Sequence, residues 1–494
     1  MREAAIRGAQ HGELVELRLD YLDSNEFRDG RNKIDALLKE LDRPTIVTWR
    51  PEEQGGQRAL DRAERIAFWL FGKPGIATFL DIEMDLASSF ASDDGSNQFW
   101  DWSRIICSHH DFLGVPAHLN QIYERMAETP ARILKIAVSV DDASDCIPLF
   151  HLLERARKEG REIIAIAMGT AGIATRILGP SRGAFLTYGA SELDSASAPG
   201  QLTAAELKDQ YHIDRIDLQT QITGLVGQPV SHSVSPQIHN AAFAAVGVNA
   251  VYIPLEVRDI ESFMVRMIHP RTRKLDWNLR GLSVTSPHKS TVMAYLDWIE
   301  PAARDIGAVN TIVAEQDELH GYNTDCAAFV ATLSQELGDL RGARCAVIGG
   351  GGASRSVLAG LQQQGAEVTL FARDVERGTP LAQSFGAVCR QLNESQFHEF
   401  DVVINATPLG THGMLVDETP VAAAELRGAG LAYDLVYNPL ETRFLREAKE
   451  AGCKTLGGLA MLISQAAEQF KLWTGVDAPR DVMRDAASRA FSNA

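Results

Sequence analysis

The sequence predicts an α/β protein in several bodies, and three observations predict it. Short apolar, β-rich runs alternate with helical stretches through roughly the first 190 residues, the spacing of strand–helix units in a parallel sheet. The stretch from Arg344 to Arg373, RCAVIGGGGASRSVLAGLQQQGAEVTLFAR, reads as strand, glycine turn, helix and second strand, the unit that binds a dinucleotide. A chain of 494 residues with 45% hydrophobic content exceeds one ordinary core and divides into domains.

In the first part seven strands are expected: Leu14 to Leu19, Thr45 to Trp49, Ala77 to Ile82, Arg104 to Ser108, Ile133 to Val138, Glu162 to Ala167 and Ala184 to Tyr188. Repeated βα units on this scale predict a (β/α)8-type barrel with one strand missing, expected before Met1 where the chain already begins inside a helix; either the start is truncated or the barrel closes abnormally. Ser191 to Gln201, rich in Ser, Ala and Pro-Gly, reads as a loop, and Asp209 to Thr220 as a polar linker. A new domain begins at Ile222. The expected bodies are a barrel over 1–210, an α/β substrate domain over 222–330, a Rossmann nucleotide domain over 331–456, and C-terminal helices over 457–494 that return to the substrate domain.

The formal charge of −17 argues against a nucleic-acid partner, whose phosphates such a surface repels. Any anionic substrate must therefore meet locally placed Arg and Lys. The six cysteines are scattered, without CxxC or Cys/His metal spacing, which reads as reduced core thiols in a cytoplasmic protein and no metal site. The longest weakly polar segment, Ile163 to Ile177, is too short and glycine-interrupted to span a bilayer, and the N-terminus lacks signal-peptide shape. The compartment expected is the cytoplasm, or the plastid stroma in a plant. Oligomeric state is not legible.

In a barrel, polar residues at strand C-terminal ends line the active-site mouth. Here these are Glu16, Arg18, Asp20, Arg50, His110, Lys135 and Arg176. Lys135 lies inside ILKIAV, where burial would desolvate its amine and push it toward a nucleophile able to form a Schiff base. The plain alternative is a strand-edge lysine with its head in water. His110, in SHHDF at the end of the preceding strand, is then a candidate general base, although a lone histidine is more often structural.

In the glycine unit, Gly349, Gly351 and Gly352 turn the chain and open it to a pyrophosphate, with Ala353 at the helix start. Where an NAD site ends its second strand on a carboxylate, this chain has Arg373, with Arg377 four residues on. Two guanidiniums suit a 2′-phosphate, so the cofactor expected is NADP. Asp374 between them reads as a turn or capping residue.

The remaining second-half signals are GLVGQPVSHSVSPQIHNAAF, GLSVTSPHK, GAVNTI and GYNTDC. Ser233 and Ser235 stand at a helix start as anion or hydroxyl ligands, or as simple N-caps. Lys289 and Asp325 form a candidate acid–base pair, with a surface lysine and an Asx-turn aspartate as the bland alternative.

Taken in order, ELRLDYL, TWR, SHHDF, KIAV, GTAGIATRILG and SAPGQ resemble the motifs of type I 3-dehydroquinate dehydratase over about residues 1 to 205. The resemblance implies that Lys135 forms the imine with 3-dehydroquinate and that His110 removes the C2 proton. It also implies that Glu16, Arg18, Arg50, Arg176, Ser197 and Gln201 hold the substrate. One departure is Gln54 in RPEEQGG, where the family has a glutamate that supports the histidine. The expectation is a weaker His110 base unless Glu52 or Glu53 substitutes.

Residues 222 to 494 resemble shikimate dehydrogenase, close to plant-type enzymes. The resemblance implies substrate contacts at Ser233, Ser235, Thr285, Asn310, Tyr437 and Gln465, with Lys289 and Asp325 catalytic and NADPH reducing 3-dehydroshikimate to shikimate. It places Asn405 and Thr407 of NATPLG on the nicotinamide side, with GGLAMLISQA closing the site and its Gly458 binding cofactor. Many bacterial members have Asn at Ser283; here a hydroxyl remains to meet a substrate oxygen. The rival readings are a quinate or NAD-preferring second half, against which Arg373 and Arg377 stand, and a non-catalytic sensor of the kind fungal repressors of quinate use resemble. A sensor should have lost Lys135, His110, Lys289 and Asp325, and all four remain.

Overall fold

The computed structural model describes residues 1–22, 30–72, 77–92, 99–192, 200–393 and 396–492. They divide into two compact units: residues 1–220 with 253–259 and 274–277, and the remainder.

The first unit opens on helix Arg2–His11 and then builds strands β1 (Val15–Arg18), β2 (Thr45–Thr48), β3 (Phe79–Glu83), β4 (Ile105–Asp111), β5 (Ile133–Ser139) and β6 (Glu162–Met168). They pair in sequence order, every pair parallel, as in the wall of a βα barrel. Helices such as Leu119–Ala127 and Ile147–Glu159 return the chain between strands. The seventh expected strand is a correction. Only Ala184 bridges to Ile163, with Phe185 N–H donating to Ile163 O at 2.7 Å. Beyond that the segment leaves the ladder and carries the Tyr188 ring over Lys135.

Because successive strand residues face opposite ways, each strand presents every second side chain to the interior. Ile46, Phe79, Ile106, Ile133 and Ile164 form an apolar floor with Leu14, Phe185 and Leu186. Two residues further along, the same faces carry Glu16, Thr48, Asp81, Ser108 and Lys135, and two further again Arg18, Arg50, Glu83 and His110. A polar layer thus rests on a greasy one.

After residue 220, β7 (Gln221–Gly227), β8 (Ala250–Glu256), β9 (Leu279–Val284), β10 (Trp298–Ile299), β11 (Thr311–Glu315) and β12 (Glu318–Tyr322) form a mixed sheet ordered β10-β12-β11-β9-β7-β8. The next sheet holds β13 (Arg344–Ile348), β14 (Glu367–Ala372), β15 (Val388–Gln391), β16 (Val402–Asn405), β17 (Leu431–Asp434) and β18 (Lys454–Leu456). Its order, β15-β14-β13-β16-β17-β18, is fully parallel, the doubly wound arrangement whose first turn receives a pyrophosphate. Helices Leu459–Thr474 and Arg480–Ser492 follow. Phe470, Trp473, Met483 and Ala487 pack with Ile238, Phe243 and Tyr252 of the substrate-side sheet and helix.

All six cysteines are free; five are buried and Cys389 half-buried. Among the described residues no helix is long and apolar enough to cross a membrane, and no group of three or more His, Cys, Asp or Glu could hold a metal.

Candidate active sites

In the first unit, β5 carries Lys135 into the polar layer with 6% of its surface exposed. The sequence pattern suggested an amine stranded among apolar neighbours; instead it is paired. Lys135 Nζ donates to Asp81 Oδ2 at 2.8 Å and to Tyr188 Oη at 3.2 Å, with Glu16 Oε1 at 3.7 Å. The correction has a simple cause: the inward face that holds Lys135 on β5 holds carboxylates on β1 and β3. Arg50 Nη2 lies 2.8 Å from the same Asp81 oxygen. Its Nη1 lies 3.3 Å from Ser108 Oγ and 2.7 Å from His110 Nδ1. Burial would raise the Asp81 carboxyl, but Arg50 and Lys135 outweigh it and hold it far below the usual carboxylate range. Burial, then Arg50 and Lys135, hold the His110 imidazole well below its ordinary value.

Glu16 accepts from Thr48 Oγ1 at 2.7 Å. Arg18 is bidentate to Asp20, at 2.9 and 2.7 Å, and donates to Gly55 O at 3.0 Å. Arg176, on helix Ile173–Leu178, is 2% exposed; among the described residues it reaches only Tyr188 O, at 3.4 Å, and its Nε has no partner. Burial without a compensating carboxylate pulls it down to about 10. A guanidinium so placed is unfavourable until an anion arrives. Gln201 is half-buried, and Ser197 lies outside the described residues. Gln54 Oε1 accepts from the His110 backbone N–H at 3.1 Å, not from its ring; Glu52 and Glu53 are exposed.

Asp81, Glu83 and Tyr188 escaped the sequence reading. The signal for the first two was present in TFLDIEMD, where two carboxylates alternate within an apolar strand. Glu83 is 1% exposed, and burial, with the Asp81 charge adding, lifts its carboxyl to about 7.

In the second unit, Lys289 Nζ donates to Asp325 Oδ2 at 2.6 Å. Asp325 sits in the first turn of helix Thr324–Leu337, capped by Asn323, which accepts from Cys326 N–H at 3.1 Å. Ser235 opens helix Ser235–Val246 with Pro236 in the first turn; Val234 at the cap position makes no side-chain cap, and the capping alternative survives only in Ser233, which meets the first N–H of the helix. Ser233 Oγ donates to Ser235 Oγ at 3.1 Å and accepts its N–H at 3.2 Å. Tyr437, from the loop after β17, is raised by burial and meets the Ser233 hydroxyl. Thr285 follows β9 and is half-buried; Gln465 Nε2 bonds Leu462 O at 3.1 Å.

Two implied ligands are engaged within the protein. Asn310 donates to Thr324 Oγ1 at 2.9 Å and accepts from Thr324 N–H and Thr311 Oγ1, both at 2.8 Å. Ser283 Oγ donates to Gln469 Oε1 at 2.9 Å, so the hydroxyl expected to meet substrate meets Gln469.

On the nucleotide side Gly349 has φ +110°, and a Cβ there would meet Thr407 Cγ2 at 2.8 Å. Gly351 precedes helix Gly352–Gln363, in which Ala353 is half-buried, and a Cβ at Gly351 would meet nothing. Arg373 and Arg377 are exposed, and Asp374 caps helix Val375–Ser384 by accepting Arg377 N–H at 3.1 Å. Asn405 is fully buried: it donates to Asp434 Oδ1 at 3.0 Å and Leu409 O at 3.2 Å, and accepts Thr407 Oγ1 at 2.6 Å. It shapes the turn that presents Thr407. Gly458 starts helix Leu459–Thr474 where a Cβ would strike Leu435 O at 2.4 Å.

Comparison with known families matches residues 1–217 to type I 3-dehydroquinase and 225–312 to the shikimate dehydrogenase substrate binding domain. Residues 331–431 match shikimate / quinate 5-dehydrogenase, and 458–487 the shikimate 5′-dehydrogenase C-terminal domain. A bifunctional 3-dehydroquinate dehydratase/shikimate dehydrogenase, chloroplastic, of Arabidopsis thaliana is 35% identical over 494 residues, spanning 95% of this chain and 79% of that protein. A shikimate dehydrogenase (NADP+) of Desulforamulus reducens is 42% identical across 55% of this chain and 96% of its own length. A crystal structure of shikimate dehydrogenase in complex with NADP+ is similar at 37% identity and TM-score 0.51, covering 56% of this chain and 97% of that one. With motifs, three sheets and a relative matched over 95% of the chain in agreement, the chain belongs to the bifunctional 3-dehydroquinate dehydratase/shikimate dehydrogenase family.

Proposed function

We propose that the two units perform consecutive steps, with Lys135 and His110 serving the first and Lys289 and Asp325 the second. The enzyme is a 3-dehydroquinate dehydratase and an NADP-dependent shikimate dehydrogenase. One observation carries the assignment of residues: each amine the chemistry needs is present and held by a carboxylate, Lys135 by Asp81 at 2.8 Å and Lys289 by Asp325 at 2.6 Å.

In the dehydratase step the Lys135 amine, once deprotonated, attacks the ketone of 3-dehydroquinate, and loss of water gives an iminium. That group draws electrons from the neighbouring carbon and acidifies its C2 proton. His110 takes the proton and returns one to the departing hydroxyl. Arg176, lacking a carboxylate of its own, binds the substrate's, with Arg50, Arg18, Glu16, Ser197 and Gln201 about the ring and its hydroxyls.

The nucleotide lobe fits NADP. The open glycine turn at Gly351 leaves its backbone accessible, and the exposed Arg373 and Arg377 would hold a 2′-phosphate. When bound, the cofactor supplies hydride to the ketone of 3-dehydroshikimate. Ser233 and Ser235 hold the substrate carboxylate, Thr285, Tyr437 and Gln465 its oxygens, and Asn310 keeps Thr324 in place beside Asp325. Lys289 gives a proton to the developing alkoxide while Asp325 holds its ammonium. Thr407, set by Asn405, and Gly458 would help hold the cofactor. The acidic composition and free thiols support a cytoplasmic or stromal place of work.

A coupled assay tests the reading. Purified protein given 3-dehydroquinate and NADPH should consume NADPH. Consumption from added 3-dehydroshikimate alone would remove the dehydratase half, and consumption from neither would remove both.

A further inference from the structure

Arg50 and Asp81 together link the two catalytic groups of the dehydratase site: Arg50 meets His110, and Asp81 meets both Arg50 and Lys135. The Arg50 guanidinium carries only donors, so the 2.7 Å approach of Nη1 to His110 Nδ1 requires a lone pair on Nδ1. The imidazole is therefore neutral and bears its proton on Nε2. Arg50 is not a loose side chain free to drift there. It is 2% exposed, with Nη2 2.8 Å from Asp81 Oδ2 and Nη1 3.3 Å from Ser108 Oγ. The same Asp81 oxygen receives Lys135 Nζ at 2.8 Å. On the ring's other side Phe112 stacks at 6.4 Å and 14°, and Gln54 holds the His110 backbone N–H. A general base needs an open lone pair. In this arrangement His110 has none.

We propose that Arg50 caps the His110 Nδ1 lone pair in the substrate-free site, and that Asp81 is the positioning residue that sets this resting state by holding Arg50 and Lys135 on one oxygen. The proposal deepens the dehydratase assignment above and rests on it. The base opens when a substrate carboxylate or hydroxyl draws the guanidinium off the ring, so proton abstraction waits for occupancy. This is also a physical account of how the site works with Gln54 in place of a charged residue. The ring is oriented from Nδ1 by a cation anchored to Asp81, rather than by a carboxylate. The charges that act most on His110 are those of Arg50, Lys135, Asp81 and Arg18.

The test is long-range 1H–15N correlation of the full chain labelled with 15N-histidine, with His110 assigned by its loss in His110→Asn. Without ligand at neutral pH, Nδ1 should resonate as a lone-pair nitrogen and Nε2 as a protonated one. A proton on Nδ1, or on both, overturns the cap. Saturating 3-dehydroshikimate should move the Nδ1 resonance; an unmoved ring, while borohydride traps a Lys135 adduct, overturns the opening. Failure to trap any adduct strikes the imine reading instead, and the ligand-free tautomer still decides the cap. Asp81→Asn should lower dehydratase kcat about 100-fold, with little change in KM, and give a mixed His110 tautomer. Asp81→Glu should recover part of both. A wild-type melting midpoint and circular dichroism spectrum report that the barrel of each variant is folded, and shikimate oxidation reports the same for the second unit. A wild-type tautomer with wild-type kcat in Asp81→Asn removes Asp81 from the role.

Discussion

Lys289 Nζ stands 2.6 Å from Asp325 Oδ2, and a Cβ placed at Gly352 would lie 3.6 Å from Lys289 Cδ. The amine is thus fixed by a helix start on one side and bordered by the nucleotide turn on the other. Asp325→Asn keeps the shape and removes the charge that holds the ammonium. Turnover of shikimate with NADP should fall about 100-fold or more, while the dehydratase rate of the same protein holds. Equal loss in both reactions would mean a folding defect and not a catalytic one.

Gln54→Glu addresses the departure at the dehydratase site. The carboxylate would accept the same backbone N–H of His110 and place a negative charge near a ring now held well below its ordinary value by burial, Arg50 and Lys135. An anion favours the imidazolium, so the pKa rises. The base form is lost as pH falls through that pKa, so the acid limb of kcat/KM should move to higher pH. The neutral-pH rate should gain up to about tenfold from the stronger base. An unchanged limb together with an unchanged rate would show that the charge at position 54 does not reach the ring.

Arg373 and Arg377 flank a carboxylate that is already used, since Asp374 caps its own helix. They therefore remain available to a phosphate. Replacing both with alanine should raise KM for NADP about 10- to 100-fold, as expected for losing charge-assisted hydrogen bonds, and leave KM for NAD nearly unchanged. The preference would then be read as the ratio of kcat/KM for the two cofactors. A ratio that does not move places 2′-phosphate recognition elsewhere.

Much of this architecture was legible because the periodicities are strong. RCAVI with its glycines could scarcely be anything but β13 and a helix start, and β2, β5 and β6 lie close to where alternating and apolar runs put them. The segment Ala184 to Tyr188 has strand composition, but pairing depends on which backbone lies alongside, and only Ala184 and Phe185 reach β6. Site residues divided in the same way. Lys135 stood out as a charge in an apolar run, whereas its partner Asp81 is 54 residues away in sequence and meets it only because β3, β4 and β5 lie side by side. Asn405 and Asn310 carry motif positions, yet their amides are engaged by neighbours that no spacing rule reveals.

Asp434, at the end of β17, is fully buried and accepts from Asn405 Nδ2 at 3.0 Å, from Val436 N–H at 3.0 Å and from the Thr442 hydroxyl. Burial outweighs these hydrogen bonds and lifts its carboxyl from 3.8 to about 6. A carboxyl raised on folding binds its proton more tightly in the native state, so its contribution is complete below the ordinary value and is lost as pH rises through about 6. That loss amounts to roughly 3 kcal/mol. Asn at 434 can still accept from Asn405 and Val436 while donating to Thr442 Oγ1, and it cannot ionise. The melting midpoint of Asp434→Asn should therefore rise relative to wild type between pH 4 and 7, by roughly 5 to 10 °C at the upper end. Circular dichroism across that range checks it, and a variant that tracks wild type at every pH would mean that the carboxylate is charged at no cost to the fold.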